Sequence, residues 1–279
     1  MRIGFVGLGV MGGRLASRLT GVGKLTVYDV SERAMEPFRG RARLGARIED
    51  AGIGAEVVGV CVGNDAQVTE CVAALLPVMQ PGAVLMVHST VSPDTVLAAA
   101  GQGQAHGVEV IDAAVTVTRY DSADAPFVCA MLGGDVPVVE RTRPLLDAYA
   151  TDTIHVGQVG TAMSLKIINN LVSLVQITVA EEAFRLAALT GTSLDAVQSV
   201  MTRNGILTPV MKGIAARAGQ PPADRETLAR RQGQARNCVK DLALAEELAR
   251  SVQTPSAAAT FAKAQFWYAY TAELPAPRQ

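Results

Sequence analysis

Short apolar runs alternate with longer amphipathic stretches along the first half of the chain. Several of these runs are apolar at nearly every position, which is typical of strands that helices cover on both faces. The runs predict strands at residues 2–7, 24–29, 57–62, 83–88, 108–113, 128–132 and 153–155. Strands that alternate with helical stretches predict βαβ units and a mostly parallel sheet.

The pattern changes after Gly160. Residues 161–190 contain no glycine or proline and keep helical spacing, so they predict one long helix that joins two domains. The following segments are rich in Ala, Leu and Arg, with breaks at Pro209, at residues 219–222 and at Pro255. We therefore predict an α/β fold: a doubly wound Rossmann dinucleotide-binding domain over residues 1–160, then an all-α helical domain for substrate binding and dimerisation over residues 161–279.

The composition narrows the classes of partner. The chain has 279 residues, of which 49% are hydrophobic, enough for two ordinary domains. Its 25 basic and 26 acidic residues form no long block of one sign, so we expect a small-molecule substrate and neither nucleic acid nor membrane as a partner. The longest apolar segment, residues 171–180, is too short and too polar to span a bilayer and is interpreted as a buried helix.

The cysteines, the histidines and the first residues of the chain add three expectations. The four cysteines form no CxxC pair, which indicates a reducing compartment. The chain opens with a strand-like run and not with a signal peptide, so we predict a cytoplasmic protein. The three histidines are isolated in sequence and fit neither a metal-ligand nor a Ser-His-Asp arrangement, so no metal is expected.

A glycine-rich motif follows the first predicted strand. Its GxGxxG pattern consists of Gly7, Leu8, Gly9, Val10, Met11 and Gly12. Such glycines permit a tight turn and let backbone N–H groups approach a pyrophosphate at a helix N-terminus. Asp29 ends the second strand, where its carboxylate can bind the adenosine ribose hydroxyls and repel a 2′-phosphate. We therefore expect NAD as the cofactor, with NADP as the alternative because Arg33 lies nearby in sequence.

A lysine and two asparagines stand near the start of the long predicted helix. Lys166 and Asn170 are four residues apart and share one face, with Asn169 at the edge of that face. Adjacent asparagines are mediocre helix formers, and their presence before an apolar run favours a functional site over a merely solvated helix start.

Four motifs stand in an order similar to that of the β-hydroxyacid dehydrogenases. They are GLGVMG at residues 7–12, HSTVSP at 88–93, GxxGxxxxxKxxNN at 157–170 and KDL at 240–242. This family includes 3-hydroxyisobutyrate dehydrogenase and is related to 6-phosphogluconate dehydrogenase. The resemblance covers nearly the whole chain.

The resemblance implies roles for individual residues. Lys166 would be the catalytic general acid and base, and Asn170 would orient the substrate. Thr90 would lie near the nicotinamide, Lys240 would approach the cofactor in the closed site, and Asn64 would flank the adenosine. The residues alone leave other interpretations open: Thr90 and its neighbour Ser89 as caps of the following helix, and Lys240 as a surface charge.

One segment departs from the family pattern. Where the family has a strand end similar to DAPVSGG, whose serine and glycines receive the substrate carboxylate, this chain has DAAVTVTRY at residues 112–120. Thr116 can replace the serine hydroxyl, but the β-branched Val117 and Thr118 crowd the peptide that glycines would leave open. One hypothesis is that Arg119 binds the carboxylate instead. The other is that the substrate is bulkier or more apolar.

The resemblance and its departure give three functional hypotheses. The leading one is an NAD(P)-dependent dehydrogenase or reductase that interconverts a β-hydroxyacid or related alcohol with its carbonyl compound. An imine reductase is the second, although such enzymes usually replace the lysine. A non-catalytic cofactor-binding protein is the third, and Lys166 and Asn170 argue against it. The family also implies a homodimer formed by the helical domains.

Overall fold

The computed structural model describes residues 1–118, 127–215 and 224–271. The chain divides into two compact units, Met1–Lys166 and Ile167–Gln279. The division falls within the long helix, a few residues after the boundary expected from the sequence.

The first unit is built around one eight-stranded sheet, with strand order β3-β2-β1-β4-β5-β6-β7-β8. All neighbouring strands are parallel except β6 and β7, so the prediction of a mostly parallel sheet is confirmed. The strands are β1 (Arg2–Val6), β2 (Lys24–Tyr28), β3 (Arg43–Leu44), β4 (Val57–Val60), β5 (Val84–Val87), β6 (Glu109–Val117), β7 (Val128–Gly133) and β8 (Ala150–Gly157).

Helices of the first unit cover both faces of the sheet. Alternate residues of each strand enter two separate apolar clusters: Ile3, Val57 and Val84 belong to one, and Val58 and Leu85 to the other. This double burial explains the nearly continuous apolar runs. The helices are α1 (Val10–Leu19), α2 (Glu32–Met35), α3 (Glu49–Gly52), α4 (Asp65–Leu75), α5 (Pro93–His106), α6 (Val136–Arg141) and α7 (Arg143–Tyr149), with short 3-10 turns at Glu36–Phe38 and Leu76–Val78.

The long helix α8 (Thr161–Thr190) has the bounds that the sequence predicts. The apolar segment 171–180 is too short to span a bilayer, but the helix as a whole has the length and composition for it, with a mean hydropathy of 1.4 in its most apolar window and 33% of that window buried. A core helix of a helical protein meets the same criteria, so this is weak evidence for a membrane. The expectation of no membrane partner stays a prediction.

In the described residues of the second unit, all regular secondary structure is helical. Besides α8 it contains α9 (Leu194–Arg203), α10 (Pro209–Ala215), α11 (Arg225–Ser251) and α12 (Ala257–Thr271). Leu174 of α8, Leu242 of α11 and Phe266 of α12 meet in one buried cluster. Pro209 is the first residue of α10, and Pro255 lies between α11 and α12, so both predicted breaks fall at helix boundaries. The break predicted at residues 219–222 lies outside the described residues.

Candidate cofactor and catalytic site

The glycine-rich turn between β1 and α1 has the geometry of an anion cradle. Gly7 has φ +89°, and a Cβ there would collide with the carbonyl of Cys61, so only glycine fits. Gly9, the N-cap residue of α1, has no atom within 4 Å of the position a Cβ would take, so its open side can admit a ligand. No side chain caps α1 and no acidic residue lies in its first turn, which leaves the positive end of the helix available to a phosphate.

Asp29 joins this turn to the end of β2. Its Oδ2 accepts a hydrogen bond from the N–H of Leu8 at 2.6 Å, and its Oδ1 accepts one from the N–H of Ser31 at 2.8 Å. A carboxylate offers about four lone-pair positions, so both oxygens can still accept from a ribose diol. Asp29 and Arg33 line the same open groove of about 690 Å³, as expected for an adenosine pocket. A dinucleotide therefore fits the residues present.

The loops after β4 and β5 are tied to each other at the carboxyl edge of the sheet. Asp65 Oδ1 accepts from the Ser92 N–H at 2.8 Å and from Thr95 Oγ1 at 2.6 Å. Ser89 Oγ accepts from the Val62 N–H at 2.7 Å. Parallel strands that reverse their order, here β1 and β4, form a ligand crevice at this edge. Asp65 was not predicted, because a bond between two loops leaves no periodic signal in the sequence.

These bonds place the two loop residues that the resemblance assigns to the cofactor. Asn64 caps α4 and accepts from the N–H of Gln67 at 2.9 Å, and its side chain is exposed. Thr90 is half-buried in the loop after β5. The cap of α5 is Ser92, so neither Ser89 nor Thr90 takes the capping role that the sequence left open for them.

The segment that departs from the family pattern continues strand β6. Thr116 pairs with Cys129 and Val117 with Val128 in the antiparallel ladder between β6 and β7. The N–H of Thr118 donates to the carbonyl of Phe127 at 2.8 Å, so that backbone group is already bonded within the protein. β-Branched residues favour such an extended ladder. Arg119, the proposed carboxylate partner, lies outside the described residues.

On α8, Lys166 and Asn170 are both half-buried and lie one helical turn apart. Asn170 Nδ2 donates to Asp241 Oδ2 at 2.7 Å, and Asn170 Oδ1 accepts from Asn169 Nδ2 at 3.2 Å. Lys240 forms an ion pair with Asp241 at 2.8 Å. The KDL segment of α11 therefore orients the Asn170 amide and leaves it one N–H to donate. The motif was noticed in the sequence, but this role of Asp241 was missed because it depends on a contact across 71 positions.

Two of the three histidines, His88 and His155, bond to backbone carbonyl groups. The His88 side chain is buried and stacks on Phe5, and its Nδ1–H donates to the carbonyl of Ala113 at 2.7 Å. Burial lowers the pKa of His88 to about 4, so its ring is neutral at neutral pH. His155 Nε2 bonds to the carbonyl of Gly134. Within residues 1–118, 127–215 and 224–271, no three His, Cys, Asp or Glu side chains cluster as metal ligands.

Comparison with known proteins identifies the family of this chain. Residues 2–160 match the family model of the NAD-binding domain of 6-phosphogluconate dehydrogenase. An uncharacterized oxidoreductase of Mycobacterium tuberculosis is 31% identical over 212 residues, which is 74% of this chain and 71% of that protein. A probable 3-hydroxyisobutyrate dehydrogenase of Mycobacterium bovis is 30% identical over 205 residues, covering 72% of this chain and 68% of that one.

A solved structure extends the similarity to both units. The structure of Mycobacterium tuberculosis 3-hydroxyisobutyrate dehydrogenase with L-serine has a TM-score of 0.83 at 25% identity and covers 98% of this chain and 95% of that chain. The chain belongs to the β-hydroxyacid dehydrogenase family. It is an oxidoreductase of hydroxyl compounds with an NAD-binding domain.

Proposed function

We propose that this enzyme interconverts a β-hydroxyacid, or a related alcohol, with its carbonyl compound, and that Lys166 is its general acid and base. The observation that carries the proposal is the Lys166 and Asn170 pair on one face of α8, with the Asn170 amide oriented by Asp241. A nicotinamide cofactor supplies or accepts the hydride when bound. The chain's own residues transfer the proton and bind the substrate oxygen.

In the reducing direction, the Lys166 ammonium donates a hydrogen bond to the carbonyl oxygen and then a proton to the alkoxide that forms. In the oxidising direction, its neutral amine takes the hydroxyl proton. The remaining N–H of Asn170 donates to a substrate oxygen and limits its orientation. Both residues act from one helix, and this fixes the spacing of their backbones.

NAD is the proposed cofactor, with NADP as the alternative. Asp29 supports NAD because its carboxylate bonds to the turn that would hold the pyrophosphate and carries a negative charge on the adenosine side. Arg33 lines the same groove and supports the alternative, since a guanidinium can pair with a 2′-phosphate.

The substrate is proposed to be larger or more apolar than a small β-hydroxyacid, unless Arg119 provides a carboxylate contact. Support comes from the N–H of Thr118, which is bonded to Phe127, and from the β-branched Val117 beside it. A substrate carboxylate can use neither a bonded N–H nor a peptide that side chains crowd.

A homodimer formed by the helical unit is also proposed. Exposed apolar side chains recur along one face of α8 at helical spacing, and solvent-facing apolar stripes of this kind are typical of interfaces. These side chains belong to Ile168, Val172, Val179, Leu186 and Leu189.

The test is a substrate panel followed by absorbance at 340 nm with both cofactors. It contains 3-hydroxyisobutyrate, L-serine, bulkier and neutral alcohols, their carbonyl compounds and cyclic imines. Turnover of hydroxyl or carbonyl compounds supports the proposal. Turnover of cyclic imines alone would replace it with imine reduction, and tight cofactor binding without any turnover would favour a non-catalytic protein.

A further inference from the structure

A buried carboxylate in the first unit caps the helix that carries Lys166. Asp112 on β6 is fully buried, its Oδ1 accepts from the N–H of Gly160 at 3.0 Å, and its Oδ2 accepts from the N–H of Met163 at 2.9 Å. These two N–H groups lie at the N-terminus of α8, where the helix itself provides no acceptor. Asp112 therefore takes the role of an N-cap residue from a strand 48 positions away.

The surrounding residues make room for this carboxylate. Gly133 on β7 lies opposite Asp112 in the sheet, and any Cβ at Gly133 would collide with the Asp112 carboxylate. Ala162 and Met163 of α8 pack in the same apolar cluster as Ala114, two residues along the strand from Asp112. Burial raises the pKa of Asp112, while bonds from backbone N–H groups, including those of Gly160 and Met163, act to lower it.

Two candidate site residues lie close in sequence to the two ends of this contact. Lys166 is three residues beyond Met163, about one helical turn from the capped end. Thr116 is four residues beyond Asp112 on β6 and faces the same side of the strand. We propose that Asp112 is a positioning residue, which fixes the first turn of α8 against β6 and thereby places Lys166 relative to Thr116. This inference rests on the proposed function, because it assigns Lys166 to the reaction.

Asp112→Asn tests it. The amide keeps the size of the side chain but turns an NH₂ group toward one of the two N–H donors, so one bond is lost. A catalytic group that moves by about 1 Å can lose about 100-fold in rate, so we expect kcat to fall about 10- to 100-fold. The Kd for NADH should stay within about twofold, since the glycine turn is untouched.

The assay uses NADH and the carbonyl compound with the highest turnover in the panel above. Rates are expressed per NADH-binding site, so misfolded enzyme does not enter kcat. NADH deuterated at both C4 positions reports whether hydride transfer limits turnover, whichever hydrogen is transferred. A raised isotope effect with little change in KM is expected. Asp224→Asn is the matched control, because Asp224 caps the long helix α11. The kcat of Asp224→Asn should equal that of the wild type.

Asp112→Ser serves as a second variant. Unchanged kcat per site in either variant would overturn the inference. Failure of both to bind NADH would overturn it too, since Asp112 would then be needed for the fold as a whole. Lys166→Ala, measured in parallel, separates the two proposals: an active Lys166→Ala enzyme contradicts the function of Lys166, whereas an inactive one beside a fully active Asp112→Asn enzyme contradicts only the role of Asp112.

Discussion

The side-chain amide of Asn170 donates a hydrogen bond of 2.7 Å to the carboxylate of Asp241, and this bond joins α8 to α11 inside the helical unit. Asp241 also pairs with Lys240. The carboxylate therefore determines which way the Asn170 amide faces, and a role for Asn170 in orienting substrate depends on Asp241.

Asp241→Asn should reduce kcat/KM about 10- to 100-fold, because a neutral amide replaces the charged acceptor of Asn170 and holds the Asn170 amide less firmly. Initial rates at 340 nm measure the effect. The double variant, Asn170→Ala with Asp241→Asn, should lower kcat/KM little more than Asn170→Ala alone. Glu247→Gln, a substitution at an exposed position of the same helix, is the control. Losses of kcat/KM that add in the double variant would contradict the dependence of Asn170 on Asp241.

Asp29→Asn should weaken NADH binding about tenfold, because the bond to the Leu8 N–H and the acceptors for the ribose are disturbed. NADPH binding should weaken less, since the carboxylate no longer repels a 2′-phosphate. Titration of the cofactors' fluorescence gives both dissociation constants. Glu70→Gln on α4 is the control, and an unchanged ratio of the two constants would count against Asp29 as the basis of cofactor preference.

Stability should depend on pH through His88. Its pKa is about 4 in the folded protein and near 6.5 when unfolded, so the unfolded chain binds the additional proton between these values. The free energy of unfolding should therefore fall as the pH drops from about 6.5 to about 4, by about 3 kcal/mol at most. The buried Asp112 has the opposite effect on the free energy of unfolding at acid pH. Because its pKa is raised in the folded protein, the folded state binds that proton more tightly than the unfolded chain does.

Urea unfolding at a series of pH values measures this dependence. His88→Phe should flatten the change between pH 4 and 6.5 that His88 causes, because no proton is taken up at that position on unfolding. The exposed His106→Gln should leave the slope as it is. The same slope in His88→Phe as in the wild type would show that other groups cause it.

The proposed dimer should depend on the exposed apolar face of α8. Val172→Asp combined with Val179→Asp places two charges on exposed positions of that face and should convert dimers to monomers. Sedimentation velocity distinguishes the two species. Val136→Asp on α6, an equally exposed valine of the first unit, should leave the dimer intact. A wild-type protein that is monomeric would contradict the proposed homodimer.

Much of this architecture is predictable from local sequence. The apolar runs are long enough to reveal every strand except β3, whose two residues, Arg43 and Leu44, carry no detectable pattern. The glycine turn and α8 follow from spacing and from the absence of helix breakers. The end of β6 was placed too early, because residues 114–117 extend the strand only through their ladder with β7.

The long-range contacts within each unit are harder to predict from sequence. Asp112, Asp65 and Asp241 each bond to groups far along the chain, and an isolated aspartate looks the same whether it caps a distant helix or faces solvent. Only folding brings these partners together. The sequence therefore offers candidates for the chemistry more readily than it reveals the residues that hold those candidates in place.

The most direct test of the account is single-turnover hydride transfer by Lys166→Ala, with Lys212→Ala, an exposed lysine of α10, as the control. The account predicts that Lys166→Ala binds NADH as the wild type does but transfers hydride to the carbonyl substrate about 100- to 10,000-fold more slowly, the usual loss when a general acid is removed. Hydride transfer by Lys166→Ala at the rate of the wild type and of Lys212→Ala would contradict it.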